Sequence, residues 1–455
     1  MKVMGMALWG VLLAVVVGVG GEGQSQAGRG RTILLRLNEL PRRVARDNLV
    51  LQMQRLDLQY QSRESKKVAA SWMPQLVYQG NFVRNLERPE FVFNINGTEQ
   101  RFRIGSRYNY LHSLQLVWPI FSGGERWHRW QGQRWQYRSL EASLAGREAG
   151  AIRDALRLYF SILLSEESVR ARQAARRTAL ENLRQVRALF AEGAATVLDT
   201  LRASAQAAAT LPPLLDARTQ QHRLRQQLKQ LLDLDPADSL VLADSLVAMD
   251  YLQRLGSPPL EQLQAWALSH RPELKALQAS RQVSRQQRKA VVAQFLPRIS
   301  FTYTLDQQAQ VNQFIPDRED YVRAQRAGVS LQWTLFQGGI RAHTLQQARI
   351  REKQLGLQQR QLRRQILLEV ESAYQDWQQA RAQLASLRAR YQQAREAYRL
   401  ARLYFQEGQA TQLEVLAAQS ELTASRLALA EGIFQLNVSQ IQLLYATGRL
   451  KDIWP

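Results

Sequence analysis

The sequence predicts a mainly α-helical chain in which a pair of amphipathic strands and a long antiparallel helical hairpin occur twice. Three observations predict this. "FSGGERWHRW" at 121–130 returns as "FQGGIRAHTL" at 336–345, so Phe121, Gly123, Gly124, Arg126 and His128 recur as Phe336, Gly338, Gly339, Arg341 and His343 at one offset of 215. Ahead of each double glycine the residues alternate apolar and polar with period two. Behind each, the period becomes helical and stays so for longer than a globular core needs.

The chain opens with Lys2 followed by an apolar run from Met4 to about Val19, then Gly, Gln and Ser residues and a small residue, Ala27. That is the layout of a signal peptide over 1–27, too short and Gly-rich for a comfortable membrane span. No later stretch offers about 18 uninterrupted apolar residues. If the mature chain enters a membrane, it does so with strands.

The first repeat is assigned to 28–232. A helical segment ends at Met73-Pro74, because a residue before Pro avoids the helical region. A strand follows from about 75 to 86. A second places Tyr108, Tyr110, His112, Leu114, Leu116 and Trp118 on one face and Asn109, Leu111, Ser113, Gln115 and Val117 on the other. The second repeat, 261–447, opens the same way at Leu296-Pro297. "ISFTYTLD" (299–306) and "VSLQWTLF" (329–336) then alternate, with Tyr303 and Trp333 on their apolar faces. The offset upstream is 223, so the first half carries eight extra residues. Polar loops are expected at about 87–106 and 307–325. Four such strands could pack as a small soluble sandwich. The membrane alternative is barrel strands with Tyr108, Tyr110, Trp118, Tyr303 and Trp333 as interfacial aromatics. Four strands cannot close a barrel alone, so that alternative needs several chains.

Each Phe-x-Gly-Gly marks a joint between strand and helix, where glycine allows a sharp backbone change and close approach. A phosphate loop would need a different glycine spacing and a parallel unit. Residues 340–407 lack Pro and keep a seven-residue rhythm: Val370, Trp377, Leu384, Tyr391, Tyr398 and Phe405 in one row, and Ala373, Ala380, Leu387, Ala394 and Ala401 in another. This is coiled-coil packing, large opposite small. In the first half Ala155, Ile162, Val169, Leu183 and Phe190 hold the row and Arg176 interrupts it. Either helix is on the order of 100 Å long. "AEGAATVLDTL" and "QEGQATQLEVL" turn the helices at Gly193 and Gly408, with Thr196 and Thr411 placed to cap the return helices, about 195–232 and 411–447. Residues 233–260, with Pro236, Pro258 and Pro259, read as an irregular connection, and 448–455 as a tail.

Net charge is +22 with no Cys, which excludes thiol chemistry, disulfides and a lipidated N-terminal Cys. Such charge suits a basic coiled-coil scaffold or nucleic-acid binder, but the export signal and alternating strands oppose both. A periplasmic adaptor also uses a helical hairpin but does not duplicate hairpin and strand pair together. The five His residues lack ligand or nucleophile spacing, so no enzyme, metal or cofactor is expected.

In this order, the signal peptide, the two Phe-x-Gly-Gly joints, the Pro-strand openings, the paired tips, "HRPEL" (270–274) and "LLYATG" (443–448) resemble the TolC family of outer membrane factors. The resemblance covers nearly the whole mature chain. It implies a homotrimer, each copy giving four strands to a 12-strand barrel in outer membrane lipid, with a helical tunnel in the periplasm. It implies a passive channel for tripartite efflux or type I secretion, meeting a periplasmic adaptor and an inner-membrane pump. By it, Gly193, Thr196, Asp199, Gly408, Thr411 and Glu414 form the adaptor-docking tip and gate, with Asp199 and Glu414 candidates for an acidic constriction. Gln409 and Ala410 stand where the family often has an arginine.

Overall fold

The computed structural model describes residues 31–95, 98–256 and 258–453. The expected signal peptide and the last two residues of the tail lie outside the described residues. In chain order the elements are β1 (Thr32–Leu35), α1 (Leu40–Asp47), α2 (Leu49–Ala70), β2 (Gln75–Arg84), β3 (Glu90–Ile95), β4 (Thr98–Arg103), β5 (Tyr108–Phe121) and α3 (Glu125–Ala191). Next come α4 (Val197–Ala209), α5 (Leu211–Leu231), β6 (Ser239–Leu242), α6 (Leu260–His270), α7 (Pro272–Ala293), β7 (Arg298–Val311), β8 (Tyr321–Gln332), α8 (Ile340–Gln406), α9 (Gln412–Ala446) and α10 (Leu450–Ile453).

The four amphipathic strands form one antiparallel sheet in the order β2-β5-β7-β8. Strands from the two halves meet at its centre, where Leu114 faces Leu305 and Leu116 faces Tyr303. The alternation seen in the sequence becomes two faces. One carries Leu76, Tyr78, Phe82, Leu114, Leu116, Trp118, Phe301, Tyr303, Leu305, Val329 and Leu331. The other carries Gln79, Asn81, Ser113, Gln115, Thr302, Thr304, Asp306 and Ser330. Its polar groups bond across strands: Ser113 donates to Asp306 at 2.6 Å, and Ser300 and Ser330 share a bond of 2.8 Å. The four strands form one sheet that does not fold on itself, so the sandwich alternative is not the one adopted. Leu76, Val329 and Leu331 stay 62–68% exposed.

Three expectations about connections change. The loop expected at 307–325 shrinks, because β7 runs to Val311 and β8 begins at Tyr321, so both strands extend well beyond their apolar segments. The loop expected at 87–106 contains the β3–β4 hairpin, pairing Phe91 with Phe102. β8 ends at Gln332, before Trp333 and Phe336, because it lies at the sheet edge and its partner β7 begins opposite it at Arg298. In β5 the corresponding residues still pair, Trp118 with Phe301 and Phe121 with Ile299.

α3 and α8 each span 67 residues, on the order of 100 Å. The α8 rows bury along their first half, where Val370, Ala373, Trp377, Ala380 and Leu384, with Ala394 beyond them, are all below 9% exposure, while Leu387, Tyr391, Tyr398, Ala401 and Phe405 toward the tip are only partly buried. The returns differ. α9 is continuous, whereas the first return breaks at Thr210 into α4 and α5. Pro212 and Pro213 lack the amide hydrogens a continuous helix requires.

The main core sits where the helices cross halfway along, and there α3 is buried almost all round, at Ile152, Ala155, Leu156, Tyr159, Phe160, Ile162 and Leu163. The 233–260 connection is more ordered than expected. Its β6 pairs in parallel with β1, and buried Asn437 and Gln440 bond the backbone of Val247, Met249 and Tyr251. The Tyr159 hydroxyl donates to Asp244 Oδ2 at 2.6 Å and bridges to the Leu35 carbonyl of β1. Burial and Asp244 push its ionisation far above the ordinary tyrosine range.

The segments "HRPEL" and "LLYATG" meet here. Arg271 is buried, donates to the Ala446 carbonyl at 2.8 Å, pairs with Glu369 and lies 5.1 Å over the Tyr445 ring. Gly448, at φ +72°, passes so close that a Cβ would stand 3.1 Å from the Arg271 amide nitrogen. Removing Arg271 strands a carboxylate and the end of α9. Arg271→Ala is expected to cost about 3 kcal/mol and to open the α6–α9 junction to proteolysis, while leaving the distal hairpins helical by circular dichroism.

Candidate functional site

Two regions carry the residues singled out from sequence: the strand–helix joints and the hairpin tips. At the joints Gly123 and Gly124 have φ of +62° and +84°, and Gly338 and Gly339 have +56° and +80°. This left-handed pair is open to glycine and strained for other residues. In the first half it turns the chain from strand into helix within three residues, between Phe121 and Glu125; in the second half β8 ends earlier, and seven residues separate Gln332 from Ile340. The two joints differ in their neighbours. A Cβ on Gly123 would collide with the Ala293 carbonyl oxygen, because α7 packs against it, whereas Gly338 has nothing within 4 Å. Phe121 and Phe336 are 42% and 85% exposed.

The expected aromatics fall at two levels. At the helix end, Trp118 Nε1 donates to the Trp72 carbonyl at 3.1 Å and Trp333 Nε1 to the Phe295 carbonyl at 3.0 Å. Trp72 and Phe295 hold corresponding places ahead of Pro74 and Pro297, so the same tie occurs in both halves. Tyr303 lies on the same sheet face, two residues further in than Phe301. At the loop end, Tyr110 packs 4.9 Å from Phe82, and Tyr108 meets Phe314 edge-on at 5.5 Å. Tyr110 and Trp118 are eight residues apart, roughly 27 Å of strand. Phe314, Trp72, Trp127 and Trp130 escaped the sequence reading. The 127/130/134/138 spacing on a helix was the signal available.

The two tips repeat the same hydrogen bonds. Ala194 N donates to Leu189 O and Gly193 N to Phe190 O; Gln409 N donates to Tyr404 O and Gly408 N to Phe405 O. With φ of +73° and +75°, Gly193 and Gly408 close the helices in Schellman motifs. Thr196 and Thr411 then cap the return helices. Asp199 N donates to the Thr196 hydroxyl and Thr196 N to Asp199 Oδ2 at 3.0 Å, while Thr411 N donates to Glu414 Oε2 at 2.9 Å. Both form capping boxes. The Asp199 carboxyl sits below the usual carboxylate range because the Thr196 hydroxyl and then its amide bond it. Among the described residues, no hydrogen bond or ion pair joins Asp199 to Glu414. Leu198 and Leu413, one residue before each carboxylate, are 53% and 64% exposed.

The repeated histidines do not converge. His128 Nδ1 bonds Gln286 at 3.0 Å between α3 and α7. Among the described residues no cluster of His, Asp or Glu could hold a metal ion, and no helix is long and apolar enough to cross a membrane.

Comparison with known proteins bears on this arrangement. No individually curated protein matches the sequence. Similar solved structures include the outer-membrane channel OprN, 20% identical over 90% of this chain and 89% of that one, with a TM-score of 0.75. The CmeC outer membrane channel of Campylobacter jejuni is 16% identical over 91% and 86%, with a TM-score of 0.76. VceC of Vibrio cholerae, an outer membrane protein, is 19% identical over 90% and 96%, with a TM-score of 0.74. At such identities these structures establish the shared fold. A family model for outer membrane efflux proteins matches residues 40–233 and 264–449, most of the chain and both joints and tips. With its one-faced apolar sheet, long hairpins and paired tips, the chain belongs to the outer membrane efflux protein family.

Proposed function

We propose that three copies of this chain close a 12-strand barrel in the outer membrane and continue it as a helical tunnel into the periplasm. The tunnel is a passive export conduit, coupled through a periplasmic adaptor to an inner-membrane pump of the tripartite efflux or type I secretion kind. The observation that carries this reading is a sheet with a bare apolar face and two unpaired edges, β2 and β8. The edges run in opposite directions. β8 of one copy beside β2 of the next therefore continues the antiparallel pattern and removes every edge. The need for more than one copy rests on those edges; the count of three rests on the resemblance.

The two halves supply a guide to the contact between copies. Within a copy, β5 pairs with β7, and the helices attached to them, α3 and α7, pack together. Carrying that pairing across the offsets of 215 and 223 brings β8 and α8 against β2 and α2 of the next copy. The register follows in the same way. Val117 faces Thr302, and the residues that correspond to them are Gln332 and Gln79. The exposed stripe Leu49, Met53, Leu56 and Tyr60 of α2 then gains a neighbour in α8.

At the tips, Asp199 and Glu414 form the acidic constriction, and Leu198 and Leu413 supply apolar contact for the adaptor. Gly193, Thr196, Gly408 and Thr411 set the turn that presents them.

The chain has no Cys, so a Gln332→Cys/Gln79→Cys variant should oxidise to a covalent closed trimer on non-reducing gels, while Gln332→Cys/Gly80→Cys, one residue off register, should not. Failure of both pairs to cross-link in membrane-extracted protein counts against the ring. Gly338→Ala should reduce trimer yield more than Gly339→Ala, although both carry the same left-handed strain, because only Gly338 would meet the next copy; equal yields reject the contact. In planar bilayers Asp199→Asn/Glu414→Gln should shift the reversal potential away from cation preference, and an inserted trimer that never conducts, even with both neutralised, defeats the conduit. Because the Asp199 carboxyl is depressed in the folded chain, its capping contribution is present at neutral pH. It is lost as pH falls through that lowered value, on the acid side of the ordinary aspartate range; amide protection at 193–200, relative to the unstructured-chain exchange rate at the same pH, should fall there, and less so in Thr196→Ala, which has already lost the cap.

A further inference from the structure

We propose that the outward stripe of α3 just below the sheet binds the anionic headgroup of a phospholipid in the periplasmic leaflet. This rests on the outer-membrane barrel reading and adds a lipid site to it.

The sidedness of the sheet can be followed into the helix. Trp118 lies on the apolar face, and its indole bonds the Trp72 carbonyl. The Trp72 ring packs 6.2 Å from both Trp127 and Trp130, which are 5.2 Å from each other. Trp127, Trp130, Arg134 and Arg138 follow at steps of three, four and four, one stripe on one side of α3. The opposite side faces the polar surface of the sheet: Glu125 and Arg129 line a cavity with Arg298, Ser300 and Ser330. The stripe is thus the downward continuation of the apolar face. α2 and α7 flank α3, so the ring contact through β2 and β8 leaves the stripe uncovered.

Its chemistry changes with depth. Trp72 and Trp127 are 41% and 47% exposed, an aromatic shelf at the edge of the apolar band. Such amphipathic rings suit the headgroup boundary. Arg134 and Arg138 lie seven and eleven residues beyond Trp127, roughly 10 and 16 Å along the helix. Side chains on a helix lean toward its N-terminus, which here points to the membrane. Both arginines do so: the Arg134 guanidinium lies 5.0 Å over Trp130 and that of Arg138 lies 4.6 Å over Trp135. That lean brings the charges back toward the interfacial layer, several ångströms thick beyond the hydrocarbon. Among the described residues neither arginine has a carboxylate partner, whereas Arg129 and Arg298 on the other side both pair with Glu125. Two guanidiniums beside an aromatic shelf match a phosphate with its acyl chains lying on the apolar face.

The joint itself does not require this cluster. At the same offset the second half has Ala342 and Leu345 in place of the two α3 tryptophans, and its joint has the same backbone geometry. The closed trimer would therefore carry three such sites rather than six.

Native mass spectrometry of the intact trimer, with phosphatidylglycerol and phosphatidylcholine of matched acyl chains, tests the proposal. The wild type should retain up to three phosphatidylglycerol molecules in preference to phosphatidylcholine. Inorganic phosphate should not displace them, since the acyl chains share the binding. The preference should fall about fivefold for each arginine removed in Arg134→Gln and Arg138→Gln, hold in Arg134→Lys/Arg138→Lys, and be unchanged in Arg349→Gln, the second-half counterpart of Arg134. Equal retention of the two lipids by the wild type, displacement by phosphate alone, or an unchanged preference in both single Gln variants overturns the proposal. Conductance is read on the same preparations: a conducting trimer without headgroup preference rejects this site alone, whereas absent conductance bears on the conduit.

Discussion

A β-strand at the edge of a sheet leaves every second peptide group without a partner, and hydrocarbon offers none. β2 and β8 present two such edges on one sheet, and the sheet also leaves a broad apolar face without a helix packed flat on it. In water this surface would invite aggregation. In a membrane it is tolerable only when the edges are paired. The remaining features are consistent with that constraint: an even number of strands, so that the free edges are antiparallel; helices that leave the sheet at one end; and glycines that turn sharply enough to place a helix under its own strand.

The two halves share a backbone plan but have different neighbours. Gly123 is crowded by α7 of its own chain, while Gly338 stands open. Glu125, at the start of α3, is buried among Arg129, Arg298 and Gln294; the corresponding first residue of α8 is Ile340, 58% exposed. Contacts that the first half makes inside the chain have no counterpart in the second half, which is the asymmetry from which the proposed ring is argued.

Much of the fold was legible in the sequence because its signals are local. Alternation over 75–86 and 299–306, the seven-residue rows of 370–405, and the paired Gly-x-x-Thr-x-x-Asp/Glu turns each depend on residues within a few positions of one another. The tips were read as caps, and the capping boxes at Thr196 and Thr411 bear that out in atomic detail. The β1–β6 pair was not legible, because its partners lie more than 200 residues apart and each is only four residues long. The β3–β4 hairpin has a local signal, Asn96-Gly97 between "EFVFNI" and "TEQRFR", as does the break at Thr210, in Pro212 and Pro213.

By itself, the sequence determined the long helices, the four amphipathic strands and the apolar face of each, and the two hairpin tips, since periodicity, glycine and capping chemistry act over short range. Only the tertiary structure decided that the four strands form one open sheet rather than a sandwich. It also decided that Arg271 locks to the end of α9, and that Trp72, Trp127 and Trp130 gather below the apolar face. These depend on contacts between residues far apart in the chain, whose meeting is set by how the long helices pack.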